Sequence, residues 1–236
     1  MYEDKTSLEA MQSAVGKYGA DDGDDDDTGD GVNDPAALVY TGATDLRFPL
    51  SNLTNAGFED GIIDPWQRTG DGRVITGLGI ERPKEGKFMG IISTGLGYTT
   101  SAGSIQQRLC VPDGGGTLSF RWSMYSEEWL EYVGSQYQDA FSVSVAVVDP
   151  VTGVVGAFTT LFNKTIDGLA GQVVPADVGF DRGGVYKTGW RADTLNLNTY
   201  AGKTIVLKLS CTDVGDSIYD SAVLLDDIKF VEIPTP

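Results

Sequence analysis

Residues Thr117 to Met124 read TLSFRWSM, and residues Ala140 to Val148 read AFSVSVAVV. Apolar and polar side chains alternate in both segments, which is typical of β-strands that turn one face toward a core. The segment between them is rich in carboxylates and carries the Gly and Ser residues of a loop. We therefore predict two strands joined by an acidic loop.

The same alternation continues along most of the chain. Further predicted strands lie at Gly156 to Leu161, Lys203 to Ser210 and Ser221 to Val231. The chain contains 31 Gly, and no long segment after residue 50 has the 3.6-residue period of a helix. This pattern predicts an all-β fold, an antiparallel β-sandwich (jelly roll), over residues 51–236.

The first 50 residues differ in composition from the rest. A short helical stretch is predicted near Ser7 to Val15, and the run Asp21 to Asp34 is too acidic to bury much apolar surface. We interpret residues 1–50 as an acidic linker that is largely irregular. No cationic, apolar leader opens the chain, and we expect it to be part of a longer multidomain protein.

The charge balance excludes several classes of partner. Lys and Arg total 17 against 34 Asp and Glu, for a formal net charge of -17. A nucleic acid or an anionic membrane surface would be repelled. No apolar run approaches the roughly 18 residues of a transmembrane helix. We expect neither nucleic-acid binding nor membrane insertion.

The residues that are absent or rare also limit the function. There is no His, which removes Ser-His and Cys-His nucleophile pairs and His-bearing zinc sites. We therefore expect a protein that is not an enzyme. Cys110 and Cys211 each end a predicted strand, and at this point a disulfide and two free thiols remain open as alternatives.

Two carboxylates outside the acidic loops stand in a familiar arrangement. Residues 55–61 read NAGFEDG, and a pair of Asp residues follows in the last predicted strand. This arrangement resembles the carbohydrate-binding-module type of galactose-binding-like jelly roll. The resemblance implies that Glu59 and Asp226 share a structural calcium, because calcium takes six to eight hard oxygen ligands. The alternative is that Glu59 only caps a turn.

A second pair of motifs is more specific. Residues 126–141 read SEEWLEYVGSQYQDAF, and residues 213–221 read DVGDSIYDS. Together they resemble loops of bacterial extracellular, adhesin-associated jelly-roll domains, although Trp129 and Leu130 depart from the usual SEEYPEY. If the loops converge, their carboxylates repel one another unless a cation neutralises them. The calcium ligands that this implies are Glu127, Glu128, Asp139, Asp213, Asp216 and Asp220.

Aromatic residues near these loops are candidates for ligand contact, because sugar and peptide sites combine aromatic faces with a few polar groups. Core packing is the preferred interpretation for Trp66, Trp122 and Trp190. Arg121 alternates with Trp122 and faces the other side of its strand, where it contacts a ligand or forms a surface ion pair. The candidate ligand-binding residues are Trp129, Tyr132, Tyr137, Tyr219 and Arg121.

These features favour a calcium-dependent, extracellular ligand-binding module that acts in adhesion at a bacterial cell surface and recognises a peptide or glycan. The alternative is a carbohydrate-binding module of a secreted polysaccharide-degrading enzyme, which would carry aromatic side chains on a sheet face. A hydrolase or lyase with an acid/base pair among Glu127, Glu128, Glu131 and Asp139 is a further hypothesis, and a structural spacer is another. The calcium would either contact the ligand or only stabilise the loops.

Overall fold

The computed structural model describes residues 53–96, 100–215 and 218–232. The predicted linker with its helical stretch lies outside these residues, and so does Asp216. One short helix, α1 (Ile166–Leu169), is described, and no described helix has the length and apolar character needed to cross a membrane. The strands are β1 (Gln67–Thr69), β2 (Asp71–Ile75), β3 (Met89–Ser93), β4 (Ala102–Cys110), β5 (Gly116–Ser126), β6 (Ala140–Val147), β7 (Thr159–Thr165), β8 (Val174–Gly179), β9 (Gly184–Lys187), β10 (Arg191–Asn196), β11 (Thr204–Thr212) and β12 (Ser221–Glu232).

The strands form two antiparallel sheets. The first has five strands in the order β1, β4, β11, β6 and β7. The second has seven strands, with β2, β3, β12, β5, β9 and β8 in order and β10 also paired with β5. The fold is thus an antiparallel β-sandwich of the jelly-roll class, as the sequence predicted.

The main core lies between the two sheets. Leu118, Phe120 and Trp122 alternate along β5 and point into it, as does Phe141 of β6. The ring centroids of Trp122 and Phe141 are 5.3 Å apart, within the range of favourable aromatic pairs. Trp66 is also fully buried there, so the core-packing interpretation of Trp66 and Trp122 is confirmed.

The seven-stranded sheet is buried on its second face as well. Tyr125, Ala222 and Leu224 belong to a separate apolar cluster on that face, which Val178 of β8 and Val185 of β9 also join. Because both faces are covered, β12 carries the uninterrupted run SAVLL in place of strict alternation.

The register of β4 and β11 decides between the two alternatives for the cysteines. Cys110 is opposite Thr204, whereas Cys211 is opposite Gly103. The two cysteines are therefore separated by seven residues along the strand pair, about 23 Å at roughly 3.3 Å per residue. A disulfide needs Cα atoms within about 7 Å, and both thiols are free.

A close approach of the two sheets at Gly103 leads to a first prediction. A Cβ atom at this position would lie 2.2 Å from the carbonyl oxygen of Asp71 and 2.4 Å from that of Ser93. Gly103→Ala must push β4 away from β2 and β3, and we expect it to lower the free energy of unfolding by about 2 kcal/mol or more.

Urea denaturation of the purified variant measures this loss. Gly171→Ala is the matched control, because a Cβ there meets nothing within 4 Å. Equal stability of the two variants would contradict the close approach of the sheets.

Candidate functional site

The two acidic loops predicted from the sequence lie against each other at one end of the sandwich. β5 pairs with β12 through Ser126 and Ser221, and β6 pairs with β11 through Ala140 and Thr212. The β5–β6 loop and the β11–β12 loop must therefore leave the sheets side by side. The backbone N–H of Glu127 donates to the carbonyl oxygen of Asp220 at 3.1 Å, which joins the loops directly.

Glu127 joins the two loops to a third segment. Its side chain is buried, and its Oε1 accepts hydrogen bonds from the backbone N–H groups of Arg182 and Gly183, both at 2.8 Å. Its Oε2 accepts from the backbone N–H of Asp220 at 3.0 Å. A carboxylate with three amide donors is held firmly in one orientation. Glu127 thereby positions the turn between β8 and β9 beside the acidic loops.

This turn brings a third carboxylate to the site. The side-chain oxygens of Glu127, Asp181 and Asp220 lie within 4.8 Å of one another. A carboxylate oxygen has two acceptor positions, so Glu127 Oε2 retains one after binding the Asp220 amide. Three converging carboxylates suit a hard cation such as calcium. Asp181 was not predicted, because it lies more than 30 residues from either motif and no local pattern marks it.

Glu128 and Asp139 form a second acidic pair, deeper in the protein. Glu127 and Glu128 lie in the bend that follows β5, and their carboxylates have different partners. The backbone N–H of Asp139 donates to Glu128 Oε2 at 3.2 Å, and Asp139 Oδ1 accepts from the backbone N–H of Val214 at 3.0 Å. Burial, the charge of Glu128 and, to a smaller extent, that of Asp213 raise the pKa of Asp139 to about 8. Asp213 is half-buried beside the pair.

An open cleft of about 480 Å³ lies next to the Glu127 carboxylate. Its walls combine apolar, aromatic and charged side chains. Leu130 is 56% exposed there and carries the largest exposed aliphatic surface of the cleft. The residues that line the cleft are Glu127, Trp129, Leu130, Glu131, Arg182, Gly183, Gly184, Tyr186 and Tyr219.

The structure separates the predicted aromatic residues into two groups. Tyr132 packs against Tyr137 and Tyr219, with ring centroids 5.6 Å and 5.0 Å apart, so these tyrosines hold the two loops together. Trp129 is only 2% exposed, and its Nε1 donates to the carbonyl oxygen of Ile166 at 2.9 Å. Tyr219 therefore offers a ligand more of its ring than Trp129 does.

Arg121 lies elsewhere on the molecule. Its Nε donates to Asp227 Oδ2 at 3.1 Å, and its side chain is 44% exposed. Burial would raise the pKa of Asp227, but hydrogen bonds from Lys229 and Arg121 outweigh that effect and lower it. Arg121 is five residues from Ser126 along β5, about 16 Å from the loops. The ion pair is the arrangement that the structure shows for this residue.

Glu59 and Asp226 contact the same loop but through its amides. Glu59 accepts from the backbone N–H groups of Lys87 and Phe88 at 2.9 to 3.1 Å. Asp226 is buried, which raises its pKa, and it accepts from the backbone N–H groups of Lys84 and Glu85. These backbone amides each use one acceptor position of the two carboxylates. Calcium at this place remains a prediction.

Comparisons with known proteins give matches in structure only. No family model matches the chain, and no curated protein matches it. The carbohydrate-binding module TmCBM61, solved in complex with β-1,4-galactotriose, is 14% identical with a TM-score of 0.47, over 77% of this chain and 97% of that one. The K1 cleaved adhesin domain of Lys-gingipain from Porphyromonas gingivalis W83 is 20% identical with a TM-score of 0.46, over 75% and 96%.

A third match is CBM28, a carbohydrate-binding module specific for non-crystalline cellulose. It is 14% identical with a TM-score of 0.44, over 77% of this chain and 95% of that one. Carbohydrate-binding modules and adhesin domains are the two kinds of domain named in the sequence resemblance. At these identities, a functional conclusion must rest on the site itself.

The amide contacts of Glu127 lead to a second prediction. Glu127→Gln replaces one acceptor oxygen by an NH₂ group that faces backbone N–H donors. We expect a loss of about 1 to 3 kcal/mol in the free energy of unfolding, because a buried amide donor is left without its acceptor. Urea denaturation checks the value. Glu131→Gln removes an exposed carboxylate of the same cleft, and a loss as large in this control would contradict the role of Glu127.

The raised pKa of Asp139 leads to a third prediction, for calcium-free buffer. The folded state holds this proton more tightly than the unfolded chain, whose pKa is near 4. The stability that it contributes is complete below pH 4 and is lost as the pH rises through about 8. The slope reaches at most about 1.4 kcal/mol per pH unit.

Urea denaturation of the wild type and Asp139→Asn between pH 5 and pH 9 tests this dependence. The difference between the two curves isolates Asp139 from the other titrating groups. We expect the wild type to lose stability relative to the variant as the pH rises. Parallel curves would show that Asp139 does not retain its proton.

Proposed function

We propose that this domain is a non-catalytic, calcium-dependent ligand-binding module of adhesion type. It would act outside the cell, as part of a longer protein, and bind a peptide or a glycan in the cleft beside Glu127. One observation carries the proposal. Three carboxylates converge at a place where a cation could bind: Glu127, Asp181 and Asp220. Glu127 also lines the open cleft, so the cation would lie beside a bound ligand.

The residues of the cleft have separate tasks in this proposal. Leu130 and the rings of Tyr186 and Tyr219 supply apolar faces for a sugar ring or an aliphatic side chain. Arg182, exposed at the edge of the cleft, supplies a guanidinium group for a ligand carboxylate or hydroxyl. A bound calcium would neutralise the three carboxylates and offer an open coordination position to ligand oxygens.

The position of Asp139 argues against catalysis by the acidic loops. A glycosidase needs a carboxyl with a raised pKa beside an ionised carboxylate, both in contact with the substrate. Asp139 has the raised pKa, but it is 0% exposed and does not line the cleft. A substrate in the cleft would not reach it.

One observation favours the alternative, a carbohydrate-binding module of a secreted polysaccharide-degrading enzyme. A row of polar side chains crosses the outer face of the five-stranded sheet in register, one on each strand. Near this row, Lys208 Nζ lies 5.5 Å from the ring centroid of Phe158, which is 42% exposed. Amides, hydroxyls and an exposed ring suit a polysaccharide. The row consists of Gln67, Gln106, Lys208, Ser144 and Thr160.

Calcium titration tests the proposed function. We expect calcium to raise the melting temperature of the wild type, because a ligand that binds only the folded state stabilises it. Asp181→Asn should weaken the calcium affinity of the cleft site by about tenfold or more, since it removes one of three carboxylates. Asp60→Asn, which removes an exposed carboxylate elsewhere, is the charge-matched control. A melting temperature that does not respond to chelator would contradict calcium dependence.

Glycan and peptide arrays in calcium and in chelator test the ligand. Binding that is lost in chelator and in Leu130→Asp supports the cleft. Binding to polysaccharide that persists in chelator and is lost in Lys208→Ala would instead support the sheet face and the alternative function.

A further inference from the structure

Three glycines lie close together at the turn between β8 and β9. They are Gly179, Gly183 and Gly184. None of them has a positive φ, and a Cβ atom built at any of the three meets nothing within 4 Å. Gly103 differs, because a Cβ there meets backbone atoms. Neither the backbone conformation nor the surrounding space therefore requires glycine at the three positions of this turn.

Glycine has a cost at positions where another residue would fit. It loses more conformational freedom on folding than any other residue, so it destabilises a fixed conformation relative to Ala. What it provides in return is access to backbone conformations that other residues rarely adopt. Three glycines within six residues are typical of a segment that changes conformation.

The turn is attached to the rest of the domain by few contacts. β9 pairs with β5 at two positions, Tyr186 and Lys187, which both lie beyond the turn. The register of the β8–β9 ladder shifts between Pro175 and Gly179, and residues 181–184 are exposed. Segments with few contacts and an exposed backbone open more readily than the core of a protein.

The ends of the turn are well placed to act as hinges. Gly179 and Gly184 are opposite each other in the β8–β9 ladder, so the turn begins and ends at a glycine. Phe180 is half-buried against the second apolar cluster and anchors one side of the turn. A rotation about the two glycines would move the exposed residues between them and leave the strands in place.

Glu127 holds the far side of the turn. Its Oε1 accepts hydrogen bonds from the backbone N–H groups of Arg182 and Gly183, both at 2.8 Å. The two donors are consecutive residues, and together they use both acceptor positions of this oxygen. The turn is thus fastened at one point, and the loss of two hydrogen bonds would release it.

We propose that residues 179–184 form a lid of the ligand cleft, which turns about its two end glycines and is held closed by Glu127. Half of the lid residues, including Arg182, line the cleft. Opening therefore widens the cleft, and closing brings the Arg182 guanidinium to a bound ligand. The inference deepens the proposed function and rests on it for the presence of a ligand, but the movement itself does not require calcium.

The lid also gives the proposed cation a second task. Asp181 belongs to the lid, whereas Glu127 and Asp220 belong to the loops against which it closes. A cation bound by all three carboxylates would fasten the lid, and it would slow both the entry and the release of a ligand.

Hydrogen exchange of the 236-residue chain, followed residue by residue by NMR, tests the lid. After correction for intrinsic rates, we expect the amides of Arg182 and Gly183 to exchange at least tenfold faster than those of β12. Low concentrations of urea should not change these two rates, because a local opening exposes little surface. Exchange with the rate and the urea dependence of β12 would show that the turn opens only when the whole domain unfolds, and would overturn the lid.

Substitution of the hinge glycines separates a lid from a turn that is merely exposed. In the double variant Gly179→Ala with Gly184→Ala, we expect the Arg182 and Gly183 amides to exchange about fivefold more slowly, because Ala restricts the open conformations. Gly171→Ala is the matched control, since a Cβ there also meets nothing within 4 Å, and it should leave both rates unchanged. Unchanged rates in the double variant would contradict the hinges.

Calcium chloride distinguishes a failure of this inference from a failure of the proposed function. Calcium bound at the cleft should slow exchange at Arg182 and Gly183 about tenfold in the wild type but not in Asp181→Asn. Local exchange that calcium does not affect would support the lid and contradict the cation site. If calcium raises the melting temperature while these amides exchange only with the whole domain, the proposed function stands and the lid is overturned.

Discussion

The carboxylate of Glu127 is the contact on which the arrangement of the functional end depends. It accepts three backbone N–H groups, two from the β8–β9 turn and one from the β11–β12 loop. Each donor belongs to a segment that is far from Glu127 in the sequence. This single side chain therefore fixes the positions of three loops relative to one another. The cleft, the convergence of Asp181 and Asp220, and the packing of Tyr132 on Tyr219 all lie around this one group.

Buried carboxylates are compensated in different ways across this very acidic molecule. Backbone amides compensate Glu127 and Asp226, while Asp71 receives hydrogen bonds from the Arg73 guanidinium and the Ser93 hydroxyl. Asp139 accepts a hydrogen bond from the backbone N–H of Val214, and burial raises its pKa. Among the described residues, three carboxylates converge only at the acidic loops and the adjoining β8–β9 turn, so that is where the proposed cation would bind. A high content of Asp and Glu in the sequence does not by itself show where a cation binds.

Several of the buried strands were predictable from their sequence pattern, although the short, fully buried β3 was not predicted. Alternation identified β5, β6 and β11 to within two residues at each end, and the apolar run identified β12. β8 and β10 were not predicted: β8 (VPADVG) is mostly exposed and contains Pro and Gly, and β10 (RADTLN) is mostly polar, so neither has the pattern of a half-buried strand. β7 begins three residues later than predicted and continues into the polar residues Asn163 and Lys164.

The site was predictable only in its local parts. The motif pair brought together Glu127, Glu128, Asp139 and Asp220 because each motif is contiguous in sequence. Asp181 depends on the pairing of β9 with β5, a long-range contact without a local signature. Glu127 and Glu128 lie in the bend directly after β5, so the local sequence does not indicate which of them faces the cleft.

The position of β12 in the seven-stranded sheet also has a consequence for biosynthesis. β12 lies between β3 and β5, which precede it by about 130 and 100 residues along the chain. During synthesis, the edges of β3 and β5 that pair with β12 stay unpaired until β12 has emerged, so the seven-stranded sheet is completed late. Until β12 arrives, these exposed edges can pair with strands of other chains.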